Sequence, residues 1–207
     1  MGKHLQQSRH FVPGRSRREP LLADAQDGSR SSLTLVAADI RVGFVTTPRT
    51  LLLLRHAEAE ATRPGARDRD RRLTERGRAQ ATAVGATIRG QGWAVDHVLC
   101  STADRTRETL AGLALTGQPT VELVDGLYDA GSDDILELVE SVPATARCLL
   151  VVGHAPGTPR VVWELVDAAH AEPAAWATID HRFPPATLAA LVLGESAGAR
   201  LVFAGLH

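Results

Sequence analysis

Two histidines in this chain each stand at the end of a short apolar run. His56 follows Leu51, Leu52, Leu53, Leu54 and Arg55, and His154 follows Cys148, Leu149, Leu150, Val151, Val152 and Gly153. An imidazole can serve near pH 7 as a nucleophile, a base or a metal ligand. A single histidine in such a place is usually a packing or surface residue. The pair is more informative, because each member opens a loop containing Gly and Pro. Arginines supply the second element. Arg55 directly precedes His56, and Arg105 lies just beyond Cys100-Ser101, near the start of an expected helix. A guanidinium fork matches phosphate oxygens bidentately and stays charged at any working pH. Together His56, His154, Arg55 and Arg105 make a set suited to a dianionic phosphoryl group. A metal site built from His56, His154 and acids such as Asp104 is a weaker reading, since the clustered spacing of a zinc site is missing. No cofactor is expected. Most of the remaining arginines, such as Arg107 beside a neighbouring acid, are expected to form surface ion pairs.

These side chains can meet only if their elements converge. The leucine run 51–54 has the pattern of a strand buried on both faces of a parallel sheet. A polar loop follows over 57–72. Thr74 is placed to cap a helix reaching about Arg89, with Ala81, Val84 and Ile88 at helical spacing. Residues 95–100 read as a strand, 103–115 as a helix and 121–124 as a weaker strand. Ser132 is expected to cap a helix through Ser141, with Asp133 and Asp134 in the first turn, where the helix dipole favours anions. The run 148–152 repeats the first strand pattern and leads into a helix through Asp167. Residues 188–193 and 201–203 suggest a closing hairpin. Strands alternating with helices predict an α/β fold, a mostly parallel central sheet with helices on both faces. In such sheets ligands bind at the carboxyl ends of the strands. Both histidines and both arginines fall at those ends, although spacing alone does not make the two histidine strands neighbours.

Composition agrees with a globular protein. Of 207 residues, 44% are hydrophobic and 23% charged, enough for a core and an ordinary surface. Lys+Arg at 23 against Asp+Glu at 24 leaves a net charge of -1, which argues against nucleic acid or an anionic membrane as the main partner. The two cysteines, Cys100 and Cys148, lie inside apolar runs and read as small buried hydrophobes. No apolar run approaches the roughly 20 residues of a membrane helix. Neither a secretory signal nor a lipidation motif is legible, so a cytoplasmic location is expected.

Four stretches resemble the histidine phosphatase superfamily, the phosphoglycerate-mutase-like fold. Leu53-Leu54-Arg55-His56-Ala57-Glu58 is similar to its Arg-His-Gly signature, and Leu73-Thr74-Glu75-Arg76-Gly77 to its Leu-Thr-x-x-Gly element. The stretch from Ser101 through Arg105 to Thr109 resembles its Ser-x-x-x-Arg-x-x-x-Thr segment, and Val151-Val152-Gly153-His154-Ala155-Pro156 its second-histidine motif. They occur in family order. The short length resembles the compact branch typified by the phosphohistidine phosphatase SixA.

The resemblance implies a metal-independent, two-step phosphoryl transfer. His56 would attack phosphorus and form a phosphohistidine intermediate that water hydrolyses, while Arg55, Arg105 and His154 bind and stabilise the phosphoryl oxygens. The implied substrate is a phosphorylated protein side chain, phosphohistidine foremost, or a small phosphorylated molecule. Ala57 replaces the usual Gly, and Ala59 and Thr62 stand where mutase-like members carry Ser and Asn, which argues against a mutase. The insertion that carries a glutamate acid in larger members is not evident; Asp129, after Tyr128, is the nearest substitute. A phosphohistidine leaving group needs less acid help than a sugar alkoxide. The competing readings are a non-catalytic phosphate-binding module and the metal-dependent hydrolase above.

The phosphatase-like domain is expected over 46–207. Residues 1–45 read as a basic, disordered or loosely docked extension, with Pro13-Gly14, several arginines and a Gly28-Ser29-Arg30-Ser31-Ser32 run. Residues 33–45 are apolar enough for a strand or a helix. A chain starting near Thr46 is therefore expected to keep the kcat of the full chain on a small phosphorylated substrate. Steady-state kinetics on the two proteins checks this, and loss of activity in the shorter one would assign 33–45 to the domain.

Overall fold

The computed structural model describes residues 49–194 and 198–207. The extension over 1–45, and with it the apolar stretch 33–45, lies outside the described residues. The domain opens on strand β1 (Arg49–Arg55), followed by helix α1 (Glu75–Gly90), strand β2 (His97–Ser101) and helix α2 (Asp104–Leu113). Strand β3 (Thr120–Val124), helix α3 (Ser132–Ser141), strand β4 (Cys148–Gly153) and helix α4 (Gly157–Leu165) come next. A short helix α5 (Pro173–Ile179) and the strands β5 (Leu188–Gly194) and β6 (Gly198–Gly205) complete it.

The six strands form one sheet in the order β3-β2-β4-β1-β5-β6. β1, β2, β3 and β4 run parallel, while β5 is antiparallel to both β1 and β6. This is the mostly parallel α/β sheet expected from the strand and helix alternation. The leucine run explains itself in this setting. Leu51 and Leu53 face a core shared with Ile135 and Val139 of α3 and Val161 and Val162 of α4. Leu52 and Leu54 face the opposite core, with Ala81, Val84 and Ile88 of α1 and Leu113 of α2. All four are fully buried, as a strand covered on both faces requires.

β1 and β4 are neighbours in register from Thr50 opposite Cys148 to Arg55 opposite Gly153. Their following helices pack on opposite faces of the sheet, α1 on one and α4 on the other. That divergence opens the crevice typical of a topological switch point. It lies directly above both histidines.

Three differences from the sequence expectations have a specific cause, beside shifts of a few residues at the ends of α2, β2 and β6. The N-cap of α3 is Gly131, not Ser132: Asp134 Oδ2 accepts from the Gly131 N–H at 2.8 Å, and the Ser132 hydroxyl is drawn to Glu164 Oε1 at 2.9 Å. A competing side-chain partner thus removes serine from the capping role. α4 ends at Leu165 rather than Asp167, whose carboxylate instead accepts from the N–H groups of Ala169 and His170. α5 is absent from the sequence reading because seven residues containing three alanines span too little to display a helical period. Both cysteines are buried free thiols, as expected.

Helices α1 and α2 approach closely at Gly85, where a Cβ would fall 2.0 Å from the Leu113 carbonyl oxygen. Helix propensity alone would favour alanine there by about 1 kcal/mol. Gly85→Ala is nevertheless expected to lower stability by at least about 1 kcal/mol, because backbone must move to admit the methyl group. Chemical denaturation read by circular dichroism checks the sign.

Candidate active site

The pairing of β1 with β4 sets the two imidazoles side by side. The His56 backbone N–H donates to the Gly153 carbonyl at 3.0 Å, and the His56 and His154 ring centroids are 5.2 Å apart. Both rings are largely buried. His56 Nδ1 lies 2.8 Å from the Ala57 carbonyl oxygen, which can only accept, so Nδ1 carries the proton. Nε2 then bears the lone pair. Arg105 Nε donates to that atom at 3.3 Å. The Ala57 N–H donates to Thr109 Oγ1 at 3.0 Å, and Thr109 donates to the Arg105 carbonyl at 2.6 Å. One threonine therefore ties α2 to the loop that holds His56.

Arg105 stands in the first turn of α2 and is 6% exposed. Arg55 Nη1 donates to the Phe183 carbonyl at 2.7 Å, while its buried Nε has no protein partner. Burial first, and then the nearby Arg105 charge, lower the Arg55 pKa. His154 pairs through Nε2 with Ser101 Oγ at 2.9 Å, and its buried Nδ1 has no protein partner. Arg55 and His154 thus each keep an unpaired buried nitrogen while Arg105 faces the His56 lone pair. The four residues singled out in the sequence come together in one crevice. Buried polar atoms normally find a partner, and a phosphoryl oxygen would supply an acceptor for the Arg55 N–H.

Electrostatics makes both rings neutral. Burial is the largest cause of the fall in the His56 pKa to about 4, with Arg105 and Arg55 adding to it against the Ala57 hydrogen bond. His154 falls to about 3, through burial first and then Arg105 and His56. A cationic pocket lined by neutral imidazoles can attract an oxyanion while keeping a nitrogen lone pair available for attack.

The motif residues have local reasons. Thr74 caps α1 by accepting from the Gly77 N–H at 2.9 Å, and its own hydroxyl donates to Glu58 Oε1 at 2.8 Å. Gly77 is required by close approach: a Cβ would lie 2.0 Å from the Glu58 carbonyl oxygen. The element Leu73-Thr74-x-x-Gly77 therefore clamps the start of α1 onto the loop leaving His56.

Three site neighbours escaped the sequence reading as functional candidates. In the sequence Ser101 is a strand end and the first residue of the Ser-x-x-x-Arg-x-x-x-Thr stretch, with no role of its own attached. Asp68 lies in the polar 57–72 loop among several charges and shows no pattern of its own. Tyr128, the single tyrosine of the chain, stands edge-on to His154 with centroids 5.5 Å apart. Its hydroxyl donates to Asp68 Oδ2 at 2.6 Å. A lone tyrosine beside an acid was the available signal. Asp129 is exposed, lining a groove with Asp125, Asp134 and Glu137 that also takes in Tyr128. Asp104 lies 3.8 Å from Arg107. Among the described residues no three of His, Cys, Asp and Glu converge as a metal-binding group, and no helix is long and apolar enough to cross a membrane.

Comparison with known proteins agrees with this architecture. A sequence model of the histidine phosphatase superfamily (branch 1) matches residues 51–155. The chain belongs to that superfamily, and its activity is that of a hydrolase acting on phosphoryl groups. A structure described as a phosphohistidine phosphatase SixA from Nakamurella multipartitia is 40% identical, with a TM-score of 0.65 over 77% of this chain and 96% of that one. A second one so described, from Agrobacterium tumefaciens, is 28% identical, with a TM-score of 0.68 over 78% and 99% of the two chains. An uncharacterized protein of Mycobacterium tuberculosis is 35% identical over 138 residues, 67% of this chain and 85% of its own length. The compact, SixA-like branch is thus the one this chain resembles in sequence and fold.

The lowered histidine pKa values set a pH dependence. Unfolded histidines take up protons near pH 6.5, whereas the native rings do so only near 4 and 3. The unfolded state therefore binds more protons below about pH 6.5, and these two residues withdraw stability as pH falls from there towards 4. Histidine NMR at pH 5.5 is expected to show both rings neutral in the folded protein. Titration of either near pH 6.5 would contradict the buried, cation-flanked environment.

Proposed function

We propose that the protein hydrolyses phosphohistidine on a protein through a phosphoenzyme formed on His56. The observation that carries this reading is the His56 ring itself. Its Nδ1–H is held by the Ala57 carbonyl, which leaves the Nε2 lone pair directed into a pocket with Arg55, Arg105 and His154. In the first step Nε2 attacks phosphorus, a bond from Nε2 to phosphorus forms, and the bond to the leaving group breaks. Water then attacks the same phosphorus, the bond to Nε2 breaks, and orthophosphate leaves. Arg55, Arg105 and His154 act by holding the equatorial oxygens, where positioning and charge stabilisation supply most of the catalysis.

The choice of substrate rests on the carboxylate that touches the site. Asp68 is the carboxylate in contact with Arg105, and hydrogen bonds from Tyr128 and then Arg71 hold its pKa well below the usual range. An ionised carboxylate cannot protonate a leaving group. Asp129 is exposed among the acids of the groove beside Tyr128. Phosphohistidine suits such a site, because its imidazole leaves readily once its own ring is protonated, whereas a sugar alkoxide needs an acid. The SixA-described relatives, at 40% and 28% identity, support the same choice. Hydrolysis of a protein phosphohistidine in the cytoplasm, with neither metal nor cofactor, is the full form of the proposal.

A panel of phosphohistidine peptide, phosphosugars and p-nitrophenyl phosphate, assayed with and without EDTA, tests it. Phosphohistidine is expected to give the highest kcat/KM, unchanged by chelator. His56→Ala is expected to retain its circular-dichroism spectrum and lose activity by at least about a thousandfold, the scale of removing a nucleophile. Substantial turnover by a folded His56→Ala protein would remove the nucleophile assignment, and preference for a phosphosugar would remove the substrate.

A further inference from the structure

Asp68 belongs to none of the motifs, yet it gathers donors from three separate parts of the chain. The Tyr128 hydroxyl donates to Oδ2 at 2.6 Å, Arg105 Nη2 lies 3.1 Å from the same oxygen, and Arg71 Nη1 donates to Oδ1 at 2.9 Å. The Asp68 backbone carbonyl also accepts from Arg105 Nη1 at 2.9 Å. A single residue thus engages both terminal nitrogens of Arg105, while Nε of the same guanidinium faces His56 Nε2.

A guanidinium buried to this degree needs a counter-charge. Asp68 supplies it in the ligand-free arrangement, and so it uses the N–H groups that a phosphoryl group would need. The carboxylate and an incoming dianion are like charges converging on one cation, and they oppose each other there. Asp68 also has somewhere to stay. When Arg105 turns to a phosphoryl group, Tyr128 and Arg71 can go on donating to the carboxylate, so it yields the guanidinium without leaving the loop.

We propose that Asp68 is a resident counter-anion that competes with the phosphoryl group for Arg105 and thereby weakens retention of inorganic phosphate. This rests on the reading of the crevice as a phosphoryl site. The competition costs substrate and product alike at the phosphoryl end. A substrate offsets it through contacts made by the rest of its molecule, whereas free phosphate has no such remainder. The arrangement therefore acts most strongly on the product and keeps the pocket clear for the next turnover. Asp68 is on this account a residue acting through Arg105, and it makes no contact with the transferring atoms.

A purely supporting role predicts the opposite sign. Were Asp68 only a brace, its loss would loosen Arg105 and weaken anion binding. Calorimetric titration of inorganic phosphate into the full chain and into Asp68→Asn, at fixed low salt and pH 7, reads the difference without any turnover. Competition predicts a Kd at least about fivefold lower in the variant, the scale of one removed charge in a partly solvated site. Asp68→Ala carries the same expectation should the Asn variant fail to fold. Phosphate binding by the wild type that is unchanged or weakened in the folded variants would overturn the inference and leave the phosphoryl reading standing. Failure of wild type and variants alike to bind phosphate would overturn that reading and the inference with it.

Discussion

Everything at the site depends on the parallel pairing of β1 with β4, in which Arg55 stands opposite Gly153. Each strand ends one residue before a histidine, so the register that buries eight aliphatic side chains also sets two imidazoles 5.2 Å apart. A one-residue slip would turn each strand's side chains to the opposite face and separate the rings. Because each apolar run is bounded by polar residues, Arg49 and Arg55 on β1 and His154 beyond β4, a slip would draw one of them into the interior, which burial opposes. The precision of a polar site is here supplied by apolar packing.

The second constraint is electrostatic. Arg55 and Arg105 carry their charges into a crevice where burial is the main cause that keeps the neighbouring imidazoles neutral, and the two guanidinium charges add to it. That neutrality is what phosphoryl chemistry needs. A protonated His56 would have no lone pair at Nε2, and an uncharged pocket would not hold a dianion. The same two guanidinium groups therefore add both to the attraction of an anion and to the neutrality of the rings. Asp68 balances part of their charge, and Tyr128 joins it to the wall beside His154.

The loop leaving His56 is the part with least regular structure, and it is held by a small number of specific contacts. Thr109 fixes Ala57, Gln80 accepts from the Glu58 N–H at 2.9 Å, and Thr74 with Gly77 clamps Glu58 from α1. These contacts join the first three motifs into one physical unit, although about 50 residues of sequence separate the first from the third. Gly77 belongs to the unit because of the space it leaves open, and its backbone φ is ordinary for a helix.

Local sequence determined the elements, because buried strands and amphipathic helices are properties of short windows. The leucine run, the valine-rich run ending at Gly153, the Thr74 cap and the helix bearing Ala81, Val84 and Ile88 all lie where pattern put them. Residue type and position likewise singled out His56, His154, Arg55 and Arg105, since two strand-end imidazoles with two nearby arginines are more informative together than any one of them alone. The cap of α3 falls on Gly131 and not on Ser132; a serine with a distant partner in Glu164 looks, within its own window, like any capping serine. Only the tertiary structure decided that β4 lies beside β1, and that Asp68, Ser101 and Tyr128 complete the crevice. The contacts that bring them to the crevice span 37 to 60 positions in the chain, from Arg105 with Asp68 to Tyr128 with Asp68. Contacts at such range arise from the packing of whole elements, which no local window encodes.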